Sequence, residues 1–311
     1  MKHDVLMTGP MYPPTIAELE QAYTVHKLWI APDREALVAS VGDRITAIAS
    51  SNSARTDAAL LAKLPRLRTI AHFGVGYDSV DVEAAKKRGV AVTNTPDVLT
   101  EEVADLTLGL LLATIRRIPQ GDRYVREGRW LKGAMALTDS LQGKTVGIIG
   151  AGRIGRAIAK RLTAFNVKIA YQGPNRKSDL PWAYFADPVA LAKEVDVVIA
   201  ACPGGEATKG LVSRAVIDAI GPKGYFVNIS RGSVVDEPAL LEALQQDRIA
   251  GAGLDVFADE PRVPEAFFAL ENVVLQPHVA SATHPTRKAM GQLVIDNLAA
   301  HFAGKPLLTP V

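Results

Sequence analysis

The apolar positions of this chain fall into short, nearly continuous runs separated by amphipathic stretches. DVLMT (4–8), VHKLWI (25–30), ITAIASS (45–51), RTIAHFG (68–74) and VAVTNTP (90–96) read as strands. Runs this rich in apolar and β-branched residues suit strands covered on both faces. Between them TIAELEQAY (15–23), REALVASV (34–41), DAALLAKLP (57–65) and DVEAAKKRG (81–89) carry helical spacing. The last starts at a capping aspartate, Asp81, and stops at Gly89. Strand–helix alternation with short links predicts a parallel sheet with helices on both faces.

A longer helical pattern runs from Glu101 to about Arg117, followed by Pro119 and a second amphipathic piece reaching Trp130. The alternation restarts at Lys144. KTVGIIG (144–150), VKIAYQ (167–172), DVVIAAC (196–202), YFVNIS (225–230), AGAGLDVF (250–257) and NVVLQPH (272–278) read as strands. RIGRAIAKRLTAF (153–165) and EPALLEALQQD (237–247) read as helices, and TRKAMGQLVIDNLAAHF after Pro285 as a last one. The expected fold class is α/β, with two doubly wound parallel-sheet units. No short-period repeat or low-complexity linker interrupts them.

Composition narrows the setting. A length of 311 residues suits two domains. Hydrophobic content of 48% and charged content of 22% are those of an ordinary globular protein, and a net charge of +2 gives no reason to expect nucleic acid or an anionic membrane as partner. The only cysteine, Cys202, can form no disulfide within the chain, which suits a reducing compartment. The opening MKHDVLMTGP lacks the apolar core of a signal peptide. VADLTLGLLLATI (103–115) is too short to cross a bilayer. A cytoplasmic protein with no membrane and no nucleic-acid partner is therefore expected. No spacing of His, Cys, Asp and Glu suggests a metal site.

Gly150, Gly152 and Gly155 spell G-x-G-x-x-G between a strand and an amphipathic helix. In that setting the first glycine permits a tight turn, the second lets backbone approach a pyrophosphate, and the third lets helix pack on strand. The helix N-terminus offers amides to the phosphates. About 20 residues on, a carboxylate usually holds the ribose of NAD. Here the strand instead ends in Tyr171 and Gln172, with Asn175, Arg176 and Lys177 beyond. Ser140 to Ser178 contains eight Lys and Arg and no Asp or Glu, and the first acid afterwards is Asp179. Lacking an acid to bind the 2′-hydroxyl and repel a 2′-phosphate, the segment favours NADPH, with NADH possible. A solvated surface turn is the plainer reading of Arg176 and Lys177.

Three later strand ends carry polar residues: Arg231 in NISRGSVVDE, Asp255 and Glu260 in LDVFADEP, and His278 in QPHVAS. The C-terminal edge of an open α/β sheet is where ligands bind. Arginine grips a carboxylate with its planar fork, and a histidine beside a carboxylate can carry a proton near neutral pH. The three together suit reduction of a 2-oxo acid: Arg231 as clamp, His278 as proton donor, Glu260 as its orienting partner. Taken singly, each also has a structural reading, as a surface ion pair, a turn glutamate or a loop histidine. His3, His26, His72, His284 and His301 are expected to be structural, and Cys202 to pack or line a wall rather than attack.

These segments, with HFGVGYDSVD (72–81) and NTPDVLTEEVADLTLGLLL (94–112), together resemble the D-isomer-specific 2-hydroxyacid dehydrogenase family over nearly the whole chain. The chain is most similar to its glyoxylate/hydroxypyruvate reductase and hydroxyphenylpyruvate reductase branch. The resemblance implies a catalytic triad of Arg231, Glu260 and His278, and a GVGY loop whose Val75 and Gly76 amides meet the substrate carboxylate. It implies cofactor contacts at Gly150, Gly152, Arg153, Ile154, Gly155, Cys202, Pro203, Ile229, Arg231, His278 and Ala280, with Asp255 on the nicotinamide carboxamide. Asn175, Arg176 and Lys177 would face the 2′-phosphate, although Gly173 and Pro174 lengthen this turn.

It further implies a flavodoxin-like substrate domain of residues 1–98 plus 286–311, a Rossmann nucleotide domain of 99–285, a cleft between them, and a homodimer joined through the arm near 101–140. Trp130 would reach the partner or pack on the arm. Ser50–Ser53, Tyr77 and His284 would rim the substrate pocket. The implied activity is NADPH-preferring reduction of small 2-oxo acids to D-2-hydroxy acids, or of aromatic ones such as hydroxyphenylpyruvate. Other readings are an NAD-dependent member such as a phosphoglycerate or lactate dehydrogenase, a nucleotide-sensing corepressor, and a flavoprotein using GAGRIG for FAD.

Overall fold

A computed structural model describes residues 2–311. The chain forms two compact units, one ending at Leu99 and resuming with Ser281–Val311, the other Thr100–Ala280.

The first unit holds strands β1 (Asp4–Met7), β2 (Thr24–Lys27), β3 (Ala47–Ser51), β4 (Thr69–Phe73) and β5 (Ala91–Thr93). They pair in parallel in the order β2-β1-β3-β4-β5, a flavodoxin-like arrangement. Every residue of β3 and β4 is buried, as expected of central strands with helices on both faces. Leu6, Ile48, Ile70 and Val92 anchor the core on one face. Helices Arg34–Val41, Ala58–Ala62 and Val82–Lys87 start at Asp33, Asp57 and Asp81, whose carboxylates accept from amides three residues on.

The final helix, His284–Phe302, returns to this unit because it packs without a side chain at one point. A Cβ on Gly291 would lie 1.8 Å from Thr15 Oγ1 of helix Pro13–Ala22. Buried Asn297 then receives the Leu308 and Thr309 amides, and the Thr309 hydroxyl donates to Asn94 O beside β5.

The second unit holds β6 (Thr145–Ile149), β7 (Lys168–Gln172), β8 (Ala183–Phe185), β9 (Val197–Ala200), β10 (Tyr225–Asn228), β11 (Gly251–Leu254) and β12 (Val273–Leu275). All pair in parallel in the order β12-β11-β10-β9-β6-β7-β8. Strand order reverses between β6 and β9, the switch point at which doubly wound sheets bind ligands. The glycines of β11 admit helix Thr100–Ile115: a Cβ on Gly253 would sit 2.7 Å from both Leu110 Cγ and Thr114 Oγ1.

The regular strands are shorter than the apolar runs. VHKLWI ends as a strand at Lys27 and continues as a short 3-10 turn. β8 was not anticipated; it is a three-residue edge strand with no buried residue. Among the described residues no helix is long and apolar enough to cross a membrane.

Candidate active site

The glycine loop joins β6 to helix Arg153–Leu162, and its three glycines meet three surroundings. Gly150 takes φ +99°, and a Cβ there would lie 2.6 Å from Cys202 Cα and N. A Cβ on Gly155 would lie 2.1 Å from Gly150 O, so the helix rests directly on the turn. A Cβ on Gly152 would meet nothing within 4 Å. The first and third glycines are thus required by close backbone approach, and the second keeps space open. No side chain caps this helix, whereas those at Asp187 and Asp236 are capped by carboxylates. Its first-turn amides and dipole suit an anion. An open glycine beside an uncapped helix fits a dinucleotide pyrophosphate.

Arg153 is exposed and Ile154 half-buried at the helix start. Cys202 is the backbone against which Gly150 turns, and Pro203 O accepts the Thr208 hydroxyl at 2.7 Å. Burial raises the Cys202 thiol, only partly offset by its backbone and Ser230 hydrogen bonds, so it remains protonated lining. At the end of β7, buried Gln172 donates to Ala186 O at 3.1 Å. The residue that closes the strand is thus turned inward, and Asn175, Arg176 and Lys177 stand exposed beyond it.

The catalytic candidates gather at the ends of β10, β11 and β12. Arg231 follows buried Ile229 and Ser230. Its amide donates to Ser230 Oγ at 2.5 Å and its guanidinium to Ser230 O at 2.8 Å. Gly232 lets this loop lie flat against the next: a Cβ there would be 1.9 Å from Phe257 C. The Glu237 carboxylate accepts from the Ala258 amide, tying the two loops again.

Glu260 lies on that second loop. One carboxylate oxygen accepts from the Phe257 amide at 3.0 Å and the other from His278 Nδ1 at 2.6 Å. Burial alone would raise the Glu260 carboxyl. The His278 hydrogen bond and charge, the Phe257 amide and the Arg231 charge outweigh it and hold the carboxyl below its ordinary range. With Nδ1 donating to Glu260, Nε2 of His278 is the nitrogen left to exchange a proton with a ligand.

His278 itself sits in the left-handed region at φ +54°, where a non-glycine residue costs roughly 1–2 kcal/mol. Asp255 holds it there. The amides of His278, Val279 and Ala280 donate in turn to Asp255 O, Oδ1 and Oδ2 at 2.9, 2.8 and 3.0 Å. Asp255 has no exposed surface, and burial pushes its carboxyl up against the pull of the two side-chain-bound amides. The carboxylate is enclosed and engaged, and it braces the His278 loop. Ala280, also expected to touch cofactor, is buried in the same brace.

In the first unit, the GVGY loop follows β4. Its three successive carbonyls are tied inward: Gly74 O to the Thr95 amide at 3.0 Å, Val75 O to Asn94 Nδ2 at 2.9 Å, and Gly76 O to His72 Nε2 at 3.1 Å. The Val75 and Gly76 amides take no part in this network, which leaves them to an anion.

His72, expected to be structural only, is the buried strut below this loop. Nε2 also faces Asn52 Oδ1, so Nε2 carries hydrogen and the Ser50 hydroxyl donates to Nδ1 at 2.9 Å. The signal in the sequence is its place two residues before the glycine. Ser50, expected on the pocket rim, is fully buried in this network. Tyr77 is exposed, and His284 Nδ1 pairs with the Tyr12 hydroxyl at 3.0 Å. The other histidines are accounted for locally. His26 pairs with Asp4, His3 stacks on Phe302, and His301 bonds Thr69.

A family profile described as D-isomer specific 2-hydroxyacid dehydrogenase, NAD binding domain, matches residues 108–280. The chain belongs to the D-isomer specific 2-hydroxyacid dehydrogenase family. As a member it is 49% identical to glyoxylate/hydroxypyruvate reductase A of Arabidopsis thaliana, over 99% of this chain and 98% of that one. It is 48% identical to hydroxyphenylpyruvate reductase of Plectranthus scutellarioides, with the same coverage. Among solved structures it is similar to an NADPH-dependent glyoxylate/hydroxypyruvate reductase of Sinorhizobium meliloti in complex with NADP and malonate. The TM-score is 0.93 and the identity 45%, over 100% of this chain and 97% of that one. This family member is therefore an NAD(P)-dependent oxidoreductase acting on 2-hydroxy and 2-oxo acids.

Proposed function

We propose that the protein reduces small 2-oxo acids of the glyoxylate and hydroxypyruvate type to D-2-hydroxy acids with NADPH. One observation carries this reading: Arg231, Glu260 and His278 converge at adjoining strand ends, with the Glu260–His278 hydrogen bond already formed at 2.6 Å. The unit Thr100–Ala280 serves as the nucleotide domain and the other unit as the substrate domain.

When bound, NADPH supplies the hydride. Arg231 and the Val75 and Gly76 amides hold the substrate carboxylate, and Arg231 also polarises the ketone. His278 donates the proton from Nε2 to the nascent alkoxide. Glu260 fixes the ring through Nδ1 and keeps a negative charge beside it. Gly150, Gly152, Arg153, Ile154 and Gly155 hold the pyrophosphate, Cys202, Pro203 and Ile229 line the wall, and Asn175, Arg176 and Lys177 take the 2′-phosphate. Positioned proton transfer of this kind is worth on the order of 10²- to 10⁴-fold.

The test is the initial rate with glyoxylate, hydroxypyruvate and 4-hydroxyphenylpyruvate, using each cofactor. Turnover with NADPH above NADH is expected; no turnover with any oxo acid contradicts the reading. An aromatic substrate is the second reading, supported by the near-equal identity to hydroxyphenylpyruvate reductase. The ratio of kcat/KM for hydroxypyruvate and 4-hydroxyphenylpyruvate decides between them.

The same proposal includes a homodimer in the cytoplasm. Ile118, Val125, Trp130, Leu131 and Leu137 are all more than half exposed on one stretch after helix Thr100–Ile115. Exposed apolar side chains of this kind support a partner surface. Trp130 is 67% exposed. Sedimentation should give twice the chain mass. The single, buried cysteine suits a reducing compartment.

A further inference from the structure

The turn after β7 is held at both ends by tyrosine hydroxyls. Tyr184 Oη donates to Gly173 O at 3.1 Å. The Lys177 amide donates to Tyr171 Oη at 2.8 Å, and that hydroxyl lies 3.4 Å from Lys177 O. A phenol has one proton and two lone pairs, so Tyr171 both accepts from and faces the two backbone groups of one residue. Tyr171 is 1% exposed, and its ring packs on Tyr184 and Trp182 with centroids 5.3 and 6.4 Å away. Between the clamps lie Pro174, which has its own φ fixed, and the exposed Asn175 and Arg176. None of these tyrosine contacts is needed to close the sheet, because β7 and β8 already pair through Ala170–Gln172 and Ala183–Phe185.

Charge is managed at the same place. Asp179, the first acid after the glycine loop, is gripped by Arg156 of helix Arg153–Leu162 through both oxygens, at 2.5 and 3.2 Å. This carboxylate, two residues beyond Lys177, is therefore paired and held.

We propose that Tyr171 and Tyr184 are positioning residues that preset the 173–177 turn for a 2′-phosphate, with Arg156 cancelling the charge of Asp179 beside it. This rests on the reading that the turn meets the adenosine ribose. A preset turn does not have to order its backbone when the phosphate arrives, so the gain falls on the phosphorylated cofactor alone. NADH, with no 2′-phosphate, is indifferent to it.

The test measures the dissociation constants of adenosine 2′,5′-bisphosphate and of AMP calorimetrically, and KM for NADPH and NADH with one oxo acid. Proteins compared are the parent, Tyr171→Phe, Tyr184→Phe and Arg176→Ala. Loss of one hydrogen bond at a clamp should weaken the bisphosphate and raise KM for NADPH about 3- to 10-fold. AMP affinity, KM for NADH and kcat should stay within about twofold, a split that general loss of structure would not produce. Arg156→Ala should weaken the bisphosphate, and adding Asp179→Asn should restore it, both effects fading at high salt.

If Arg176→Ala lowers the NADPH preference while both tyrosine variants keep it, the clamp is overturned and the ribose reading stands. If Arg176→Ala leaves the preference intact, the ribose reading falls and the clamp falls with it. Should Tyr171→Phe not fold, the half-buried Tyr184 gives the same answer.

Discussion

In Thr100–Ala280 the ligand edge of the sheet presents side chains. Arg231, Glu260 and His278 come from three consecutive strand ends and are fixed by one another and by the Asp255 brace. In the other unit the edge after β4 presents backbone. Gly74, Val75 and Gly76 turn their carbonyls inward to Thr95, Asn94 and His72, and the Val75 and Gly76 amides take no part in these bonds. The first edge is built to move a proton and to answer charge. The shape of the second is decided by residues beneath it. Substitutions should therefore act on kcat in one unit and on KM in the other.

The sharpest break is His278→Gln, which removes the exchangeable proton while keeping a polar side chain. Its kcat should fall by about 10²- to 10⁴-fold with NADPH affinity unchanged in a fluorescence titration. Arg231→Ala should lower kcat/KM for the oxo acid by about 10²-fold, the worth of a charge-assisted clamp, again with cofactor affinity intact. Full activity would reject the clamp.

His72→Gln tests the other edge. Losing the strut under Gly76 O should raise KM for the oxo acid about tenfold, with KM for NADPH and the pH profile of kcat unmoved. A fall in kcat alone would blur the distinction between the units.

The smallest effect concerns pH and stability. The Glu260 carboxyl lies below its ordinary value of 4.5 in the folded chain. A depressed carboxyl adds stability that is present above its unfolded value and is lost as pH falls through the folded one. The difference in melting temperature between the parent and Glu260→Gln should therefore shrink as pH drops from neutral to below 4.5. A constant difference would show that the His278 pair adds nothing pH-dependent.

How much of this was legible in the sequence follows the same division. Side-chain chemistry announces itself: Arg231, Glu260 and His278 stand out in the sequence because each lies at or just beyond the end of an apolar run. The glycine loop was readable because its backbone contacts forbid a Cβ at Gly150 and Gly155. The Asp255 brace is not legible, because a carboxylate at a strand end looks the same in sequence whatever amides it accepts from. His72 reads as structural because its place two residues before the glycine does not show that the loop carbonyl bends back onto it. β8 was missed because three half-exposed edge residues carry no apolar period. The tyrosine clamp was invisible for a related reason: Tyr171 and Tyr184 read as strand residues, and only register brings both hydroxyls to one turn.

The central claim is that Arg231, Glu260 and His278 reduce a 2-oxo acid with NADPH to the D-hydroxy acid. A single turnover of enzyme-bound NADPH with hydroxypyruvate, with the configuration of the product assigned, tests it most directly. The account predicts one equivalent of D-glycerate per NADPH oxidised, and no rapid oxidation in His278→Gln. The L-isomer, or equal oxidation by the variant, would contradict it.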